Sequence, residues 1–520
     1  MIRRLALLLS LVLVGMAGLS LSLAPAHADG YVSISGAGST WSQVAVDAWR
    51  ADIRASGVVV NFAGTGSTDG RSQFIQATVD FANTEIPFQN PPEPGQQAEV
   101  PNRKYAYLPI VAGGTSFMYN LTVGGKRVRD LRLSGQTLAK IFTGQITRWN
   151  DPAITRDYGR ALPSIPIIPV VRSDGAGASA QFALYMQSQA PQIYCPFIRS
   201  KLHLGGSACP SVSFYPAFGA SKAQVGSNGV ANYVAASYGA GAIGYVEYAY
   251  AKRVDFPVVS LLNKAGYYAQ PTAGNVAVAL TQAKINPNLT QNLASVYTNP
   301  DPRAYPMSSY SYMVVPTSTQ APFNTAKGKT LSTFVNYFLC SGQKKADKLG
   351  YSPLPKNLVL AGFDQVRRIP GAVAPPSIDQ CDNPALKILT TAPMPDKCSK
   401  VGATCATGGG AGTTGGSGAT GGTGTGSGSG TATTAGGAGG APAAAGGGAP
   451  GAVVDPLTGQ APAATGGDVA TAASAVPVAL AENREEDRRN TWLYLLSAVL
   501  LAVAVIVPPI LVGRARPPRR

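Results

Sequence analysis

The sequence predicts an α/β protein followed by a low-complexity linker and an apolar segment near its C-terminus. Short apolar strands alternate with amphipathic helices from residue 31 to about residue 380, which is the pattern of α/β domains rather than of an all-β sandwich. Gly, Ala, Thr, Ser and Pro then dominate up to residue 485. Such a composition lacks the large apolar side chains that a core requires, so about the first three quarters of the chain are expected to fold.

Two strand–helix units in series open the predicted folded region. Val44, Ala45, Ala48 and Trp49 recur at helical spacing and mark one apolar face. The predicted order of elements is a strand over 31–35, a helix over 41–54, a strand over 58–62, a helix over 71–78, and strands over 79–82 and 165–171. A helix containing Phe182 and Tyr185 follows the last of these strands.

The N-terminus has the features of a secretory signal peptide over residues 1–28. Arg3 and Arg4 precede a leucine-rich run, and Ala26-His27-Ala28 has the small-residue form of a cleavage site. We expect cleavage after Ala28, the alternative being an uncleaved N-terminal anchor. The sequence therefore predicts export.

The C-terminal region predicts attachment to the membrane. The expected parts are a cysteine-containing extension over 373–405, a disordered linker over 406–485, a transmembrane helix over 491–513 and a cytoplasmic basic tail over 514–520. Arginines in the tail follow the positive-inside tendency. The predicted localisation is a single-pass protein on the extracytoplasmic face of the cell membrane, with its N-terminal lobes outside.

All six cysteines lie beyond position 190, which agrees with disulfides in an oxidising compartment. Fifteen pairings are formally open. We favour Cys195–Cys209, Cys340–Cys381 and Cys398–Cys405.

Charge and composition exclude several classes of function. The net charge is +16, but the basic residues are scattered and lack an interleaved aromatic patch, so no nucleic-acid partner is expected. Only two histidines occur, and His27 belongs to the predicted signal peptide, which argues against a histidine-based zinc site. No constellation of metal ligands or activated nucleophile is visible. We therefore expect no cofactor, no metal and no enzymatic activity.

Two glycine-rich loops between a strand and a helix are candidate anion sites. They span 36–41 (GAGSTW) and 64–72 (GTGSTDGRS). A helix N-terminus offers unpaired N–H groups, and glycines let a ligand approach the backbone. In the second loop the glycine spacing and Arg71 depart from the P-loop pattern for nucleotides. An ordinary capped turn is the alternative for either loop.

A third loop and one acidic residue complete the candidate site. Arg172 opens the loop 172–179 (RSDGAGAS), and its planar fork suits a tetrahedral oxyanion, while Asp174 can hold that fork. Glu85 follows the third strand. A carboxylate can only accept a hydrogen bond, so it favours an anion that still carries a proton, such as hydrogen phosphate, over sulfate.

These segments, in this order, resemble the phosphate-binding proteins of ABC importers, the PstS type. The resemblance covers about 31–365 and includes 138–146 (LAKIFTGQI), Trp149-Asn150-Asp151 and 241–251 (GAIGYVEYAYA). It implies a two-lobe periplasmic-binding-protein fold of type II with the ligand cleft between the lobes. Lobe I would comprise 31–112 and 256–372, and lobe II 113–255.

The resemblance also implies a ligand, partners and a set of contacts. The ligand is inorganic phosphate or a related oxyanion, and the partners are separate permease and ATPase subunits. The expected ligand-binding residues are Ser39, Thr40, Trp41, Ser67, Glu85, Arg172, Asp174, Ala176, Gly177 and Ala178.

Three positions depart from the family pattern. Glu85 stands where Asp is usual, and Ala176 and Ala178 stand where Ser and Thr are usual. One hypothesis is that the longer Glu85 side chain fills the space left by the missing hydroxyls. The opposing hypothesis is a larger ligand, such as a phosphate ester or phosphonate.

The long linker also leaves open a surface module for sensing, storage or adhesion that is not coupled to transport.

Overall fold

The computed structural model describes residues 30–385 and 392–403. The strands of this part are β1 (Ile34–Gly38), β2 (Val60–Ala63), β3 (Phe81–Thr84), β4 (Tyr105–Tyr119), β5 (Thr122–Val123), β6 (Lys126–Arg127), β7 (Arg132–Leu133), β8 (Ile168–Arg172), β9 (Lys222–Gln224), β10 (Ala242–Glu247), β11 (Ser260–Leu262), β12 (Tyr268–Ala269), β13 (Lys284–Ile285), β14 (Gln291–Asn292) and β15 (Ser308–Pro316).

Helices connect most of the longer strands. They are α1 (Gln43–Ile53), α2 (Ser67–Ile75), α3 (Gly135–Phe142), α4 (Pro152–Tyr158), α5 (Gly177–Gln189), α6 (Pro191–Leu202), α7 (Gly226–Ala235), α8 (Tyr248–Arg253), α9 (Ala273–Leu280), α10 (Thr325–Leu339), α11 (Ala346–Leu349) and α12 (Lys356–Val366). Short 3₁₀ turns lie at Arg54–Ser56, Ser237–Gly239, Ser341–Lys345, Ile378–Gln380 and Lys397–Ser399.

One eight-stranded mixed sheet organises the fold, in the order β2-β1-β3-β15-β4-β10-β8-β9. Strands β2, β1 and β3 are parallel to one another, as are β10, β8 and β9. Strand β15 runs antiparallel to both β3 and β4, and β10 runs antiparallel to β4. We call β2, β1, β3 and β15 the first half of the sheet, and β10, β8 and β9 the second half. The α/β class predicted from the sequence is confirmed.

Strand β4 joins the two halves. Its residues 105–114 pair with β15, and its residues 115–119 pair with β10. The change of partner falls between Gly114 and Thr115. A side chain at Gly113 or Gly114 would collide with the rings of Trp41 or Tyr305, so glycine lets these aromatic side chains pack against the strand.

The first predicted strand lies three residues too early in the sequence, and the cause is the role of its glycines. Gly36 and Gly38 belong to β1 and not to a loop. A Cβ on Gly36 would lie 2.2 Å from the Phe81 ring, and one on Gly38 would lie 2.2 Å from the Asn83 carbonyl oxygen. These glycines therefore allow β3 to approach β1 closely, and the turn itself begins at Ser39.

Aromatic side chains dominate the core on both sides of β4. In the first half, Trp49 stacks on Phe338 at 5.0 Å and its Nε1–H donates to the Gly342 carbonyl at 3.0 Å. In the second half, Phe182 of α5 is fully buried. Its aromatic neighbours there are Phe117, Phe142, Tyr215 and Tyr245. Because α5 begins at a candidate anion loop, this packing fixes the loop.

Two of the three predicted disulfides are confirmed. Cys195 is bonded to Cys209, and Cys340 is bonded to Cys381. Cys405 lies outside the described residues, so the pair Cys398–Cys405 stays a prediction.

The predicted terminal segments cannot be compared with the fold. The signal peptide 1–28, the linker 406–485, the apolar segment 491–513 and the tail 514–520 all lie outside the described residues. Among the helices at 30–385 and 392–403, none has the length and apolar character needed to cross a bilayer.

Removing either disulfide is expected to destabilise the fold, and slightly more for the pair that closes the longer loop. The bonded cysteines are 14 residues apart in Cys195–Cys209 and 41 apart in Cys340–Cys381. Chain-entropy estimates give about 3 kcal/mol for the shorter loop and about 4 kcal/mol for the longer one. Urea unfolding of double Cys→Ala variants of each pair checks this order. A larger loss from the shorter loop would contradict the entropic explanation.

Candidate anion-binding site

Three predicted segments meet at one edge of the first half of the sheet. Ser39 follows β1, Ser67 begins α2 directly after the loop from β2, and Glu85 follows β3. The carboxyl ends of parallel strands share an edge, and the loops there are the usual place for a ligand in open α/β sheets. The order β2-β1-β3 thus brings together residues that are 46 positions apart in sequence.

Glu85 is the centre of this cluster. Its side chain is 1% exposed, and both carboxylate oxygens accept hydrogen bonds from serine hydroxyls. Ser39 Oγ donates to Oε1 at 2.5 Å, Ser67 Oγ donates to Oε2 at 2.8 Å, and Ser311 Oγ of β15 donates to Oε1 at 2.9 Å. Three hydroxyls thus replace the water that the carboxylate loses on burial.

Burial raises the pKa of Glu85 above its ordinary value. The three serine hydroxyls and the positive charge of Arg172 act in the opposite direction, and burial outweighs them. Taking a carboxylate out of water disfavours its charged form, so this group takes up a proton more readily than an exposed glutamate.

Gly177 packs directly against Glu85 from the other half of the sheet. A Cβ at Gly177 would lie 2.4 Å from Glu85 Oε2, so any larger residue would push the carboxylate away. The Gly177 N–H also donates to Ser67 Oγ at 3.0 Å. The start of α5 therefore contacts the loops of the first half.

Arg172 and Asp174 form a second cluster beside the first. Arg172 is 2% exposed at the end of β8, and its Nε donates to Asp174 Oδ1 at 2.7 Å, while its Nη2 donates to Asp174 Oδ2. Burial pushes the pKa of Asp174 up, but the bonds and charge of Arg172 outweigh it and the pKa falls below its ordinary value. A Cβ at Gly66 would lie 2.5 Å from Asp174 Oδ2, so the glycine before Ser67 gives this carboxylate its space.

Thr40 connects the first cluster to α7. Its Oγ1 accepts the Ser227 N–H at 3.0 Å and lies 3.1 Å from Ser227 Oγ. Arg172 Nη1 donates to the same Ser227 hydroxyl at 3.4 Å. The Gly226 N–H donates to Asp174 Oδ1 at 2.9 Å. The first turn of α7 thus contacts both the arginine pair and the loop after β1.

The helices that begin at this site are not capped by their own N-cap residues. The N-cap residues of α1, α2, α5 and α7 make no side-chain cap bond. In contrast, Ser134, Thr272 and Asn324 cap α3, α9 and α10, which begin elsewhere. The first N–H groups of α5 and α7 donate instead to side chains from other segments, those of Ser67, Asp174 and Thr40. Because these side chains are not part of α5 or α7, the N–H groups can exchange them for the oxygens of a bound anion.

The backbone N–H of Ala176 has a different acceptor from the N–H of its neighbour Gly177. The Ala176 N–H donates to the Ser213 carbonyl at 3.0 Å. Ser213 in turn donates its N–H and its hydroxyl to the two carboxylate oxygens of Glu93, each at 2.7 Å. Glu93 lies between β3 and β4, so this chain of bonds links the first half of the sheet to the loop 172–179 before α5.

The ten residues predicted for the site lie in one buried region. Asp174 is half-buried and the others are buried, namely Ser39, Thr40, Trp41, Ser67, Glu85, Arg172, Ala176, Gly177 and Ala178. Trp41 contributes its Nε1–H to Thr115 Oγ1 at 3.0 Å, and its N–H donates to Ser39 Oγ at 3.0 Å. Its ring therefore attaches the loop after β1 to the strand that joins the halves.

Two serines whose hydroxyls bond to predicted site residues were missed. Ser227 lies in a Gly-Ser pair at a strand-to-helix junction, which is the same signal that identified the other loops. Ser311 carries no such signal, because it lies within a strand and reaches Glu85 only through the pairing of β15 with β3.

The chemistry of the site is that of binding an oxyanion. It offers serine and threonine hydroxyls, backbone N–H groups, a buried guanidinium and one carboxylate. In the described part of the chain no group of three or more His, Cys, Asp or Glu side chains could hold a metal ion. An ionised carboxylate can only accept a hydrogen bond, and a protonated oxyanion can supply the donor.

Comparison with known proteins identifies the family. Residues 23–341 match a family described as a PBP superfamily domain, which is more than half of the chain. The phosphate-binding protein PstS of Xylella fastidiosa is 33% identical over 331 residues, covering 63% of this chain and 83% of that protein. The PstS of Pasteurella multocida is 30% identical over 335 residues, covering 63% and 88%.

A solved phosphate-binding protein from Stenotrophomonas maltophilia is also similar, at 19% identity and a TM-score of 0.46, covering 64% of this chain and 92% of that one. The sequence relatives and the superfamily match carry the assignment. This chain belongs to the PstS family of phosphate-binding proteins within the PBP superfamily.

Proposed function

We propose that this chain is an extracytoplasmic binding protein that captures inorganic phosphate and delivers it to an ABC importer. The observation that carries the proposal is the buried cluster around Glu85, where the hydroxyls of Ser39, Ser67 and Ser311 and the start of α5 converge beside Arg172. Relatives named as phosphate-binding proteins over most of their length support it.

Glu85 gives the site its preference for phosphate. Ionised Glu85 accepts a hydrogen bond from the proton of hydrogen phosphate, whereas sulfate brings no proton and faces the carboxylate charge without a hydrogen bond to it. On binding, the hydroxyls of Ser39 and Ser67 turn from the carboxylate to the anion oxygens. Arg172, held by Asp174, contributes a forked and charged donor.

The proposed binding cycle is the closing of two lobes around the anion. Lobe I consists of 31–112 and 256–372, and lobe II of 113–255. Strand β4, which changes partner at Gly114, supports this division. Hydrogen bonds between the halves at Thr40, Ser67 and Glu93 support a closed state.

The linker and the apolar segment support a tethered protein. We propose that 491–513 anchors the chain in the cell membrane. The linker 406–485 would then let the lobes move some distance from the extracytoplasmic face of that membrane. Release of the full chain from membranes by alkaline carbonate would contradict the anchor.

Permease and ATPase genes beside the gene for this chain would support import, and an isolated gene would favour a sensing or storage module.

Titration of the full-length chain with phosphate, arsenate and sulfate tests the proposed ligand. We expect phosphate and arsenate to bind, and sulfate to bind at least about 100-fold more weakly because Glu85 cannot accept a bond from it. The variant Glu85→Gln, whose amide can donate a hydrogen bond to sulfate, is expected to reduce the ratio of phosphate affinity to sulfate affinity. Calorimetry measures all three affinities. Equal affinity of the wild-type chain for sulfate and phosphate would remove the role given to Glu85.

The preference for phosphate over sulfate is expected to fall as the pH is lowered. The pKa of Glu85 is raised, so its carboxyl gains a proton at a higher pH than an exposed glutamate does. Once protonated, it can donate to a sulfate oxygen. Affinities measured from about pH 8 to about pH 5 follow this change. A ratio that stays constant over this range would show that Glu85 does not discriminate between the anions.

Arg172 is expected to supply a large part of the affinity. Arg172→Ala removes a charge-assisted donor worth about 1.5–3 kcal/mol, which corresponds to a loss of about 10- to 100-fold. Arg129→Ala is the matched control, because Arg129 makes a similar bidentate pair with Asp255 on the exposed surface. Calorimetry with phosphate compares the two variants. Equal losses in both would assign the effect to net charge rather than to the site.

A further inference from the structure

Ser311 is a buried hydroxyl of the sheet that contacts the carboxylate of the proposed site. It lies in β15, is fully buried, and its Oγ donates to Glu85 Oε1 at 2.9 Å. We propose that Ser311 is a positioning residue for anion selectivity, which holds Glu85 Oε1 so that Oε2 faces the proton of the bound anion. This inference rests on the proposed function and adds a residue to its specificity.

Ser311 differs from the other two donors to Glu85 in where it is attached. Ser39 lies in the loop before α1 and Ser67 is the first residue of α2, and both are proposed to turn toward the anion. Ser311 lies in a strand that pairs with β3 on one side and β4 on the other, and the pairing with β4 shifts register between Ser311 and Tyr312. Such irregularities commonly change the direction of a side chain beside a binding site.

Gln291 fixes the backbone on which Ser311 is placed. Its Oε1 accepts the Tyr310 N–H at 2.8 Å, and its Nε2 donates to the Tyr310 carbonyl at 3.1 Å. The same Nε2 donates to the Glu85 carbonyl at 3.4 Å. Gln181 from α5 also donates to that carbonyl, at 3.1 Å. The main chains of Glu85 and of the residue before Ser311 are thus held together.

The bond from Ser311 becomes decisive when the anion binds. Glu85 then loses the donors Ser39 and Ser67 to the anion oxygens. Ser311 is the remaining serine donor to the carboxylate, and its rigid attachment keeps Oε1 occupied. The protonated oxygen of the anion then donates to Oε2, the carboxylate oxygen that lies against Gly177 at the start of α5.

The charged and titratable groups around Glu85 come from several elements. Arg172 at the end of β8 is the cation whose field lowers the pKa of Glu85, against the larger effect of burial. Tyr312 of β15 and Tyr351 feel the charge of Glu85, and burial raises the pKa of both phenols well above the ordinary value. Both phenols therefore stay neutral near neutral pH, so a pH-dependent change in binding in that range is not caused by Tyr312 or Tyr351.

The test compares Ser311→Ala with Ser309→Ala in the full-length chain. Ser309 lies two residues away in the same strand, is 2% exposed, and its Oγ has no hydrogen-bond partner in the described part of the chain. Both variants lose the same atom from the same strand. We expect Ser311→Ala to weaken phosphate binding about tenfold and Ser309→Ala to change it less than twofold, as measured by calorimetry.

The pH dependence separates positioning from a general loss of packing. Removing a donor to the carboxylate destabilises its charged form and raises the pKa of Glu85 further. In Ser311→Ala the preference for phosphate over sulfate is therefore expected to disappear at a higher pH than in the wild-type chain. In Ser309→Ala the profile is expected to coincide with that of the wild-type chain. Ser311→Thr, which keeps the hydroxyl, is expected to resemble the wild-type chain more than the alanine variant.

The outcomes distinguish this inference from the function on which it rests. If the wild-type chain binds no phosphate, both fail. If it binds phosphate selectively and Ser311→Ala matches Ser309→Ala in affinity and pH profile, only the role of Ser311 is overturned. A thermal melt of each variant identifies unfolding, and in that case the profile of Ser311→Thr decides. A threonine variant that folds but behaves like the alanine variant would overturn the inference.

Discussion

The burial of one carboxylate, Glu85, is the constraint on which the site depends. A charged group removed from water must be hydrogen-bonded or it takes up a proton. Serines from two helix starts and from β15 meet this requirement, and Gly177 leaves the space for it. The fold thus buries a carboxylate whose negative charge is compensated by hydroxyls, and under the proposed function the same bonds would serve both stability and selectivity.

The sheet explains how remote residues reach this carboxylate. Parallel strands β2, β1 and β3 deliver their loops to a common edge, while β8 delivers Arg172 from the other half. Aromatic packing around Phe182 fixes the helix that carries Gly177. The first N–H groups of α5 and α7 donate to side chains of the same cluster, so backbone donors also lie where the hydroxyls converge.

Much of the site was predictable because its residues follow local rules. Ser39, Ser67 and Arg172 lie where a strand passes into a helix, and Glu85 directly follows a strand. The exact strand limits were not predictable, since Gly36 and Gly38 serve the approach of β3 and not a turn. Ser311 was missed for a related reason. Its contact depends on which strands pair over more than 200 positions, a property that no short window of sequence contains.

The central position of β4 has a consequence for the order in which the chain acquires its structure. This strand must pair with residues 242–247 on one side and 308–316 on the other. Neither pairing is local. The entropy cost of closing long loops must be met before such contacts stabilise the chain. When the chain is made from its N-terminus, the middle of the sheet therefore remains incomplete until residue 316 is available for pairing, and β4 acquires its second neighbour only then.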